Sequence, residues 1–400
     1  MNQKTYRFLW IVTLIVLLAV YFKNAWVSDD GFIIFRSIEQ LFDGNGPRWN
    51  PHERVQTFTS PLWFMVLSLV RIVSSDLYLN SIVLSCVLLV ATFVVVARMK
   101  CNAWFTSLVP LLWLSSNAFF DYTSSGLENV LAYLLIALYL FFFLKLIKNS
   151  ADEALLVKGH IRKILFLAGL LIFVRHDLLL LIFPPSAYLI FRWFKSLSLK
   201  EWISLGIVSV LPLGLFTLFS IIYFGFPFPN TAYAKLSTGI PSIDLFQQGL
   251  LFYKVTSGRD SITILVIAVS LIANLIKPSS LAIRFLCLGV ILNLLYVLKV
   301  GGDFMQGRFL SYAFLVCSIL LLRWLIDLGN RRALVYCVVV LIGYNTVYPH
   351  TPLKSPLSAS DITLHHDIAD ERRFYFYGTS FAKYLKYFRD GEPFPRHKFT

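Results

Sequence analysis

Long apolar segments separated by short polar ones make up most of this chain of 400 residues. Segments such as 77–97, 129–147 and 202–223 are about 15–25 residues long, the length that a helix needs to cross a bilayer. The pattern predicts an all-helical, polytopic membrane module at 1–348 and a short tail at 349–400. The eleven predicted spans are 8–22, 77–97, 103–119, 129–147, 162–174, 178–191, 202–223, 262–276, 282–298, 309–325 and 333–348.

Composition agrees with a membrane protein. Hydrophobic residues make up 57% of the chain and charged residues 14%, and the mean hydropathy is +0.70. An average soluble domain is about 25% charged. On a soluble protein the net charge of +14 would suggest nucleic acid, but here much of the positive charge sorts to one side of the predicted membrane. We therefore predict membrane lipids as partners and no nucleic acid.

The distribution of Lys and Arg orients the chain. Lys4 and Arg7 place the N-terminus in the cytoplasm by the positive-inside rule. Alternation from there places the polar clusters outside the cytoplasm, so the working face is predicted to be extracytoplasmic. The predicted outer segments are 23–60, 120–128, 175–177, 224–261, 299–308 and the tail 349–400.

The apolar segment 61–73 tests this topology. As a helix it would be about 20 Å long, shorter than the hydrocarbon core of about 30 Å. If it crossed the membrane, every later loop would change sides. We therefore predict a re-entrant or interfacial helix, with a spanning helix as the alternative.

The first outer loop begins with two adjacent acids, Asp29 and Asp30. Gly31–Phe42 follows as a predicted amphipathic helix in the membrane interface, with Ile34 and Ile38 on its apolar face. Two interpretations remain open for the acids. One is helix capping, for which Ser28, Asp29 or Asp30 would each serve. The other is a site in which one acid binds or orients and its neighbour accepts a proton.

Six motifs in order along the chain resemble those of one enzyme family. They are Asp29–Arg36 with Asn50–Val55 and Thr59–Trp63, then Ser125–Glu128, Arg175–Asp177, Tyr223–Leu236, Gly301–Phe309 and Asp370–Tyr375. The family is that of GT-C membrane glycosyltransferases, and in particular the mycobacterial terminal β-1,2-arabinofuranosyltransferases and their bacterial relatives. One position departs from the pattern, because His176 stands where the family usually has Pro.

The resemblance implies a GT-C fold, a bacterial cytoplasmic (inner) membrane and a polyprenyl-phosphate sugar as donor. The acceptor would be an envelope glycan, lipid or protein. Asp29 or Asp30 would be the general base, with Asp29 favoured. A cofactor is not required, although the two acids leave open a divalent cation such as Mg or Mn.

Further outer residues are candidates for substrate binding. The cations Lys235, Arg308, Arg36, Arg54 and Arg175 are candidates for the donor phosphate, and Glu128, Asp177, Asn230, Tyr233 and Asp303 for the sugar or acceptor. Each group has an alternative role. Lys235 and Arg308 would also serve as interface anchors, and Glu128 and Asp177 would also pair with Arg175.

Two other functions compete with a glycosyltransferase. A polyprenyl-linked lipid transporter or flippase would usually show internal repeats and charges within its spans. A non-catalytic envelope-assembly protein would have no need for paired acids beside several cations. The sequence shows no internal repeat, and its polar groups crowd one predicted face.

The topology predicts the labelling of engineered cysteines. A cysteine at position 45 should react with a membrane-impermeant thiol reagent added to intact cells, and one at position 158 should react only after the membrane is opened. Labelling of position 158 from outside would contradict the predicted orientation.

Overall fold

The computed structural model describes residues 3–100, 102–148, 154–236, 239–276, 280–354, 364–365, 367–391 and 394–395. Within these ranges, the side chains of 3–7, 154–155, 234–236 and 364–365 lie outside the description. The described part of the chain is helical apart from loops and one short β-hairpin.

The elements follow one another closely along the chain. The helices are α1 (Gln3–Asn24), α2 (Asp29–Phe42), α3 (Pro61–Arg71), α4 (Leu77–Met99), α5 (Ala103–Trp113), α6 (Asn117–Phe120), α7 (Asn129–Lys148), α8 (Ala154–Val174), α9 (Leu178–Trp193), α10 (Leu199–Phe224), α11 (Asn230–Leu236), α12 (Ser242–Arg259), α13 (Ser261–Ile276), α14 (Leu281–Lys299), α15 (Leu310–Asp327), α16 (Arg331–Val347), α17 (Glu371–Thr379) and α18 (Phe381–Asp390). Strands β1 (Leu364–His365) and β2 (Ile368–Ala369) form the antiparallel hairpin.

Six of the described helices are long and apolar enough to cross a membrane, namely α4, α7, α9 with its 3-10 extension, α10, α14 and α15. A seventh span results if α12 and α13, which meet at 109°, count as one. Ten predicted spans each fall on one helix and the segment 103–119 falls on two, so the all-helical membrane fold is confirmed. The number eleven stays a prediction.

One predicted span is divided. The segment 103–119 contains the end of α5 at Trp113 and the start of α6 at Asn117. The break has a local cause, because Ser116 accepts a hydrogen bond from the backbone N–H of Phe119 and so caps a new helix. The segment 61–73 forms the 11-residue α3. The re-entrant or interfacial placement of α3 stays a prediction.

Helix α15 lies at the centre of the packing. Its residues from Leu310 to Leu322 are all buried, and α5, α7 and α13 pack around it. Helix α10 is the opposite case, since only 17% of its most apolar window is buried, against 72% for α15. An apolar helix with so much exposed surface is suited to contact lipid.

Two helix pairs approach each other through glycine. A Cβ atom on Gly289 of α14 would lie 2.0 Å from the carbonyl oxygen of Leu181 in α9. A Cβ atom on Gly169 of α8 would lie 1.8 Å from the carbonyl oxygen of Ser209 in α10. Small residues at such contacts allow helix backbones to pack closely in a membrane.

The tail packs against the beginning of the chain. The backbone N–H of Phe381 donates to the carbonyl of Ala25 at 2.9 Å, and Thr379 Oγ1 donates to the carbonyl of Val27 at 2.7 Å. Strand β2 is held by the loop before α15, because Ala369 N–H donates to the Phe304 carbonyl at 2.7 Å. Helix α17 therefore lies beside the segment that joins α1 to α2.

The α9–α14 contact generates a stability prediction. Gly289→Ala should destabilise the protein by about 1–3 kcal/mol, because the new methyl group would meet backbone that has no room to move. Thermal unfolding in detergent would measure the change. Gly214→Ala in α10 is the matched control, since nothing lies within 4 Å of its Cβ position. Equal melting temperatures for the two variants would contradict the close packing.

Candidate active site

The start of helix α2 is capped by Ser28. Its Oγ accepts a hydrogen bond from the backbone N–H of Gly31 at 3.2 Å and donates to the carbonyl of Ser125 at 3.0 Å. Asp29 and Asp30 therefore stand in the first turn, where acids interact favourably with the helix dipole, but neither is the N-cap. Of the three residues proposed as the cap, the structure selects Ser28.

Two glycines bring the loop at 120–128 against this helix start. A Cβ atom on Gly31 would lie 3.4 Å from Cα of Gly126 and 2.8 Å from Val27 Cγ1. Gly126 has φ of +81°, a backbone conformation that favours glycine. Its carbonyl accepts a hydrogen bond from the indole of Trp63 at 2.8 Å. Glu128, two residues further on, is thereby placed close to the acids of α2.

Glu128 is buried, with 1% of its surface exposed. Its Oε1 accepts hydrogen bonds from Arg175 at 2.8 Å and from Arg308 at 3.0 Å. Burial by itself raises the pKa of this carboxyl, but Arg308 and Arg175 outweigh it and lower the pKa to about 2. Glu128 is therefore a charged bridge between the buried Arg308 and the partly buried Arg175.

Arg175 binds two acids and packs against an aromatic ring. Besides Glu128, it binds Asp177 through two parallel hydrogen bonds of 2.9 and 3.1 Å. Its guanidinium also lies 4.8 Å from the ring centroid of Phe309. The pairing alternative for Glu128 and Asp177 is thus what the structure contains. Their proposed contact with a sugar stays a prediction.

Arg308 connects Glu128 to the acids of α2. Its guanidinium lies 3.9 Å from Asp30 Oδ2 and also donates to the sulfur of Met305 at 3.1 Å. The side chain is 8% exposed. Among the described residues, its Nε has no hydrogen-bond partner. One donor of this buried cation can therefore still take an anionic ligand.

Asp29 is exposed and fixed in direction. Its Oδ1 accepts a hydrogen bond from the backbone N–H of Asp30 at 2.8 Å, and its Oδ2 accepts one from the hydroxyl of Tyr375 at 2.7 Å. The side chain of Asp30 is 38% exposed. Both carboxylates are therefore open to a substrate.

The tail supplies a further acid that the sequence did not single out. Glu371, the first residue of α17, is 6% exposed, and its Oε2 has no hydrogen-bond partner among the described residues. Burial and then the charges of Asp29, Asp30 and Asp303 raise its pKa to about 8, against the opposing effect of Arg308. Asp303 is itself buried, with 9% exposed.

Glu371 and Tyr375 both lie in the motif Asp370–Tyr375, and neither was among the predicted site residues. The available signal was an acidic residue and a tyrosine four positions apart, which lie on one face of a helix. This local pattern does not show which distant loop that face of the helix will contact.

Arg36 contacts Trp49 in the loop that follows α2, and Arg54 contacts Tyr223 near the end of α10. Arg36 Nε donates to the Trp49 carbonyl at 3.2 Å, and its guanidinium lies 4.6 Å from the indole centroid. The Arg54 guanidinium lies 5.1 Å from the ring centroid of Tyr223. The structure thus joins Asp177, Arg175, Glu128 and Arg308 in a chain of ion pairs that reaches Asp30, and the charge of Asp303 acts on Arg308. Arg36 and Arg54 contact Trp49 and Tyr223 instead.

The segment at 225–233 flanks the site. Phe228 packs edge-to-face on His176 at 5.7 Å, next to the Arg175–Asp177 pair. Tyr233 is 38% exposed and lies 5.6 Å from the ring of Phe226. Asn230 begins α11, and its Oδ1 is buried without a hydrogen-bond partner in the described part of the chain. The side chain of Lys235 lies outside the described residues.

Among the described residues, no group of three or more His, Cys, Asp or Glu side chains could hold a metal ion. Both oxygens of Asp29 already accept hydrogen bonds, and Asp30 faces Arg308. This donor set does not fit Mg or Mn, which favour several oxygen ligands. A divalent cation on Asp29 and Asp30 stays a prediction.

The Glu128 bridge generates a stability prediction. Glu128→Gln should destabilise the protein by about 3 kcal/mol, because the buried Arg308 and the partly buried Arg175 lose a shared countercharge. Glu39→Gln is the control, since Glu39 is 39% exposed and pairs with Arg71 at 2.9 Å. An exposed pair contributes at most about 1 kcal/mol. Denaturation in detergent would measure both. Similar losses would contradict the central role of Glu128.

The same bridge has a defined pH dependence. The pKa of Glu128 is lowered in the folded state to about 2, against about 4.3 for an unperturbed glutamate. Its contribution to stability is therefore present above the unfolded value and lost as the pH falls towards 2. The Gln variant should lack this part of the acid transition.

Two curated proteins and one solved structure are similar to this chain. The chain is 30% identical over 326 residues to the terminal β-(1→2)-arabinofuranosyltransferase of Corynebacterium glutamicum, a match that covers 71% of this chain and 46% of that protein. It is 24% identical over 328 residues to the enzyme of the same name from Mycobacterium tuberculosis, with 72% and 51% covered. The chain thus spans about half the length of the curated relatives it matches. No protein-family profile matches it.

One solved structure has a similar fold. ArnT from Cupriavidus metallidurans, determined with bound undecaprenyl phosphate, superposes with a TM-score of 0.53 at 14% identity. The superposition covers 83% of this chain and 62% of ArnT. The chain is therefore an all-helical membrane protein of the GT-C fold, and it is homologous to the terminal β-(1→2)-arabinofuranosyltransferases.

Proposed function

We propose that this protein is a glycosyltransferase that moves a sugar from a polyprenyl-phosphate donor to an acceptor outside the cytoplasm. One observation carries the proposal. Asp29, which is exposed, and Asp30, which is partly exposed, stand at a helix start beside the buried cation Arg308. The names of the curated relatives support a sugar such as arabinofuranose. The lipid bound to ArnT supports a polyprenyl phosphate as the carrier.

The reaction requires a base and a charged leaving group. The acceptor hydroxyl oxygen attacks the anomeric carbon of the donor, and the bond from that carbon to the phosphate oxygen breaks. The lipid phosphate leaves with the bonding electrons, and the hydroxyl proton passes to a carboxylate. Asp29 is the better placed base, because it is exposed and hydrogen-bonded by Tyr375. Asp30, held near Arg308, would orient the acceptor.

Arg308 is the best candidate for the donor phosphate. Its buried Nε has no partner among the described residues, so it can donate to a phosphate oxygen. Arg175 already makes three hydrogen bonds to Glu128 and Asp177 and would instead keep Glu128 in position. Lys235 would add a second cation at the phosphate.

Residues around the two acids would bind the sugar. Asp303 lies in the loop that precedes Arg308, and its charge acts on Arg308. Asn230 and Tyr233 lie on the short helix α11, next to the Phe228–His176 contact. Hydroxyl-rich ligands are bound by carboxylate, amide and aromatic groups of this kind.

We further propose that this face points away from the cytoplasm in a bacterial cytoplasmic membrane, with the N-terminus inside. The support is the distribution of Lys and Arg along the chain. The acceptor would be an envelope glycan, lipid or protein. A lipid flippase and a non-catalytic envelope-assembly protein are the competing functions.

Catalysis by the acid pair is directly testable. With polyprenyl-phosphate arabinofuranose and other polyprenyl-phosphate sugars, the purified protein should release lipid phosphate in the presence of acceptor. Asp29→Asn should lower kcat by about 10²–10⁴-fold, because the general base is lost. Asp30→Asn should also lower the rate. Product formation would be followed with radiolabelled donor.

Asp43→Asn is the matched control. Asp43 is exposed and caps the opposite end of the same helix, so its charge can be removed without touching the site. Unchanged turnover in both Asp29→Asn and Asp30→Asn would refute the catalytic assignment. An inactive wild-type protein with every donor would favour the flippase or the assembly protein.

A further inference from the structure

Helix α17 places a tyrosine directly on the proposed base. The hydroxyl of Tyr375 donates to Asp29 Oδ2 at 2.7 Å, although the two residues are 346 positions apart in the chain. Burial, and then the hydrogen bond to Asp29, raise the pKa of Tyr375. The hydroxyl is therefore protonated at neutral pH and acts as a donor.

The ring of Tyr375 is held by its surroundings. It stacks on Trp26 with 6.5 Å between centroids and 10° between planes, and Phe374 packs edge-to-face against it at 4.7 Å. Trp26 is fully buried, and its indole donates to the Asp121 carbonyl at 2.8 Å. The aromatic ring cannot turn its hydroxyl away without breaking these contacts.

The helix that carries Tyr375 is anchored on both sides. Arg372 donates to Asp121 Oδ1 at 2.9 Å and also contacts Asn24. Thr379 donates to the Val27 carbonyl at 2.7 Å. These anchors lie on the chain just before α2 and on the loop that carries Glu128. The position of the tyrosine hydroxyl is thus tied to the same frame as the acids.

Two donors therefore fix the Asp29 carboxylate. The Asp30 N–H binds Oδ1 and the Tyr375 hydroxyl binds Oδ2. Each carboxylate oxygen has a second lone pair, so one site remains on each for an acceptor proton. A base held in this way loses little entropy on meeting its substrate.

We propose that Tyr375 is a positioning residue, whose hydroxyl holds the Asp29 carboxylate in the orientation that accepts the proton of the acceptor hydroxyl. The proposal rests on the proposed glycosyltransferase function. It makes α17 part of the active site, so the site is incomplete without the C-terminal segment.

The alternative is that Tyr375 only tethers the tail to the first loop. A tether would act on folding stability or on donor binding. A positioning residue would act on the turnover step, and only while Asp29 is present. These consequences differ in measurable ways.

Tyr375→Phe separates the two roles. The substitution removes one hydroxyl and keeps the ring that stacks on Trp26. With radiolabelled polyprenyl-phosphate arabinofuranose as donor, we expect kcat to fall about ten-fold and the donor KM and melting temperature to remain unchanged. Tyr377→Phe, at a position on the same helix that is 52% exposed, should match the wild type.

A double-mutant cycle with Asp29→Asn gives the decisive readout. If the tyrosine acts through the carboxylate, adding Tyr375→Phe to Asp29→Asn should cost almost nothing further. Equal losses in both backgrounds would mean an independent, structural role and would overturn the proposal.

The remaining outcomes are also distinguishable. An active wild type with unchanged kcat in Tyr375→Phe would refute the positioning role and leave the glycosyltransferase intact. A raised KM or a lowered melting temperature at unchanged kcat would establish the tether. An inactive wild type with all donors would overturn the proposed function, and the positioning role with it.

Discussion

The buried carboxylate of Glu128 is the group on which the candidate active site of this protein depends. It is shared by Arg175 and Arg308, which come from loops preceding α9 and α15. Removing a charge from water is costly unless it is paired and hydrogen-bonded. Because one carboxylate serves two cations, the three loops must meet at one place, and the helices that carry them are fixed relative to one another.

The acids of α2 are added to this centre by backbone contact rather than by charge. Gly31 and Gly126 pack closely enough that a Cβ atom on Gly31 would lie 3.4 Å from Cα of its partner. Ser28 caps the helix, which releases Asp29 and Asp30 from that task. Arg308 then meets Asp30 at 3.9 Å. Steric fit brings the acids of α2 close to Arg308, and electrostatics sets their neighbours.

The tail completes the site with polar groups on one face of α17. Glu371 carries a raised pKa of about 8, caused by burial and by the acids around it. A carboxyl that holds its proton near neutral pH limits the repulsion within such a crowded set of acids. Tyr375, one turn later, donates to Asp29. A short C-terminal segment thus contributes both charge balance and geometry.

Much of the fold and the site followed from local sequence. The apolar segments predicted the helices, and the spacing of Ile34, Phe35 and Ile38 predicted the buried face of α2. Glu128, Arg175 and Arg308 were candidates because they stand in motifs that resemble those of GT-C glycosyltransferases. Local pattern did not distinguish Ser28 from Asp29 and Asp30 as the N-cap of α2, so that assignment needed the structure.

The sequence by itself determined the helical membrane fold and the acids and cations available to the candidate site, because hydrophobic length and charge are local properties. Only the tertiary structure decided how they pair. It gave Asp177 and Glu128 to Arg175, and it brought α17 to Asp29 across 346 positions. Such contacts depend on the burial and packing of distant segments, which no neighbouring residue encodes.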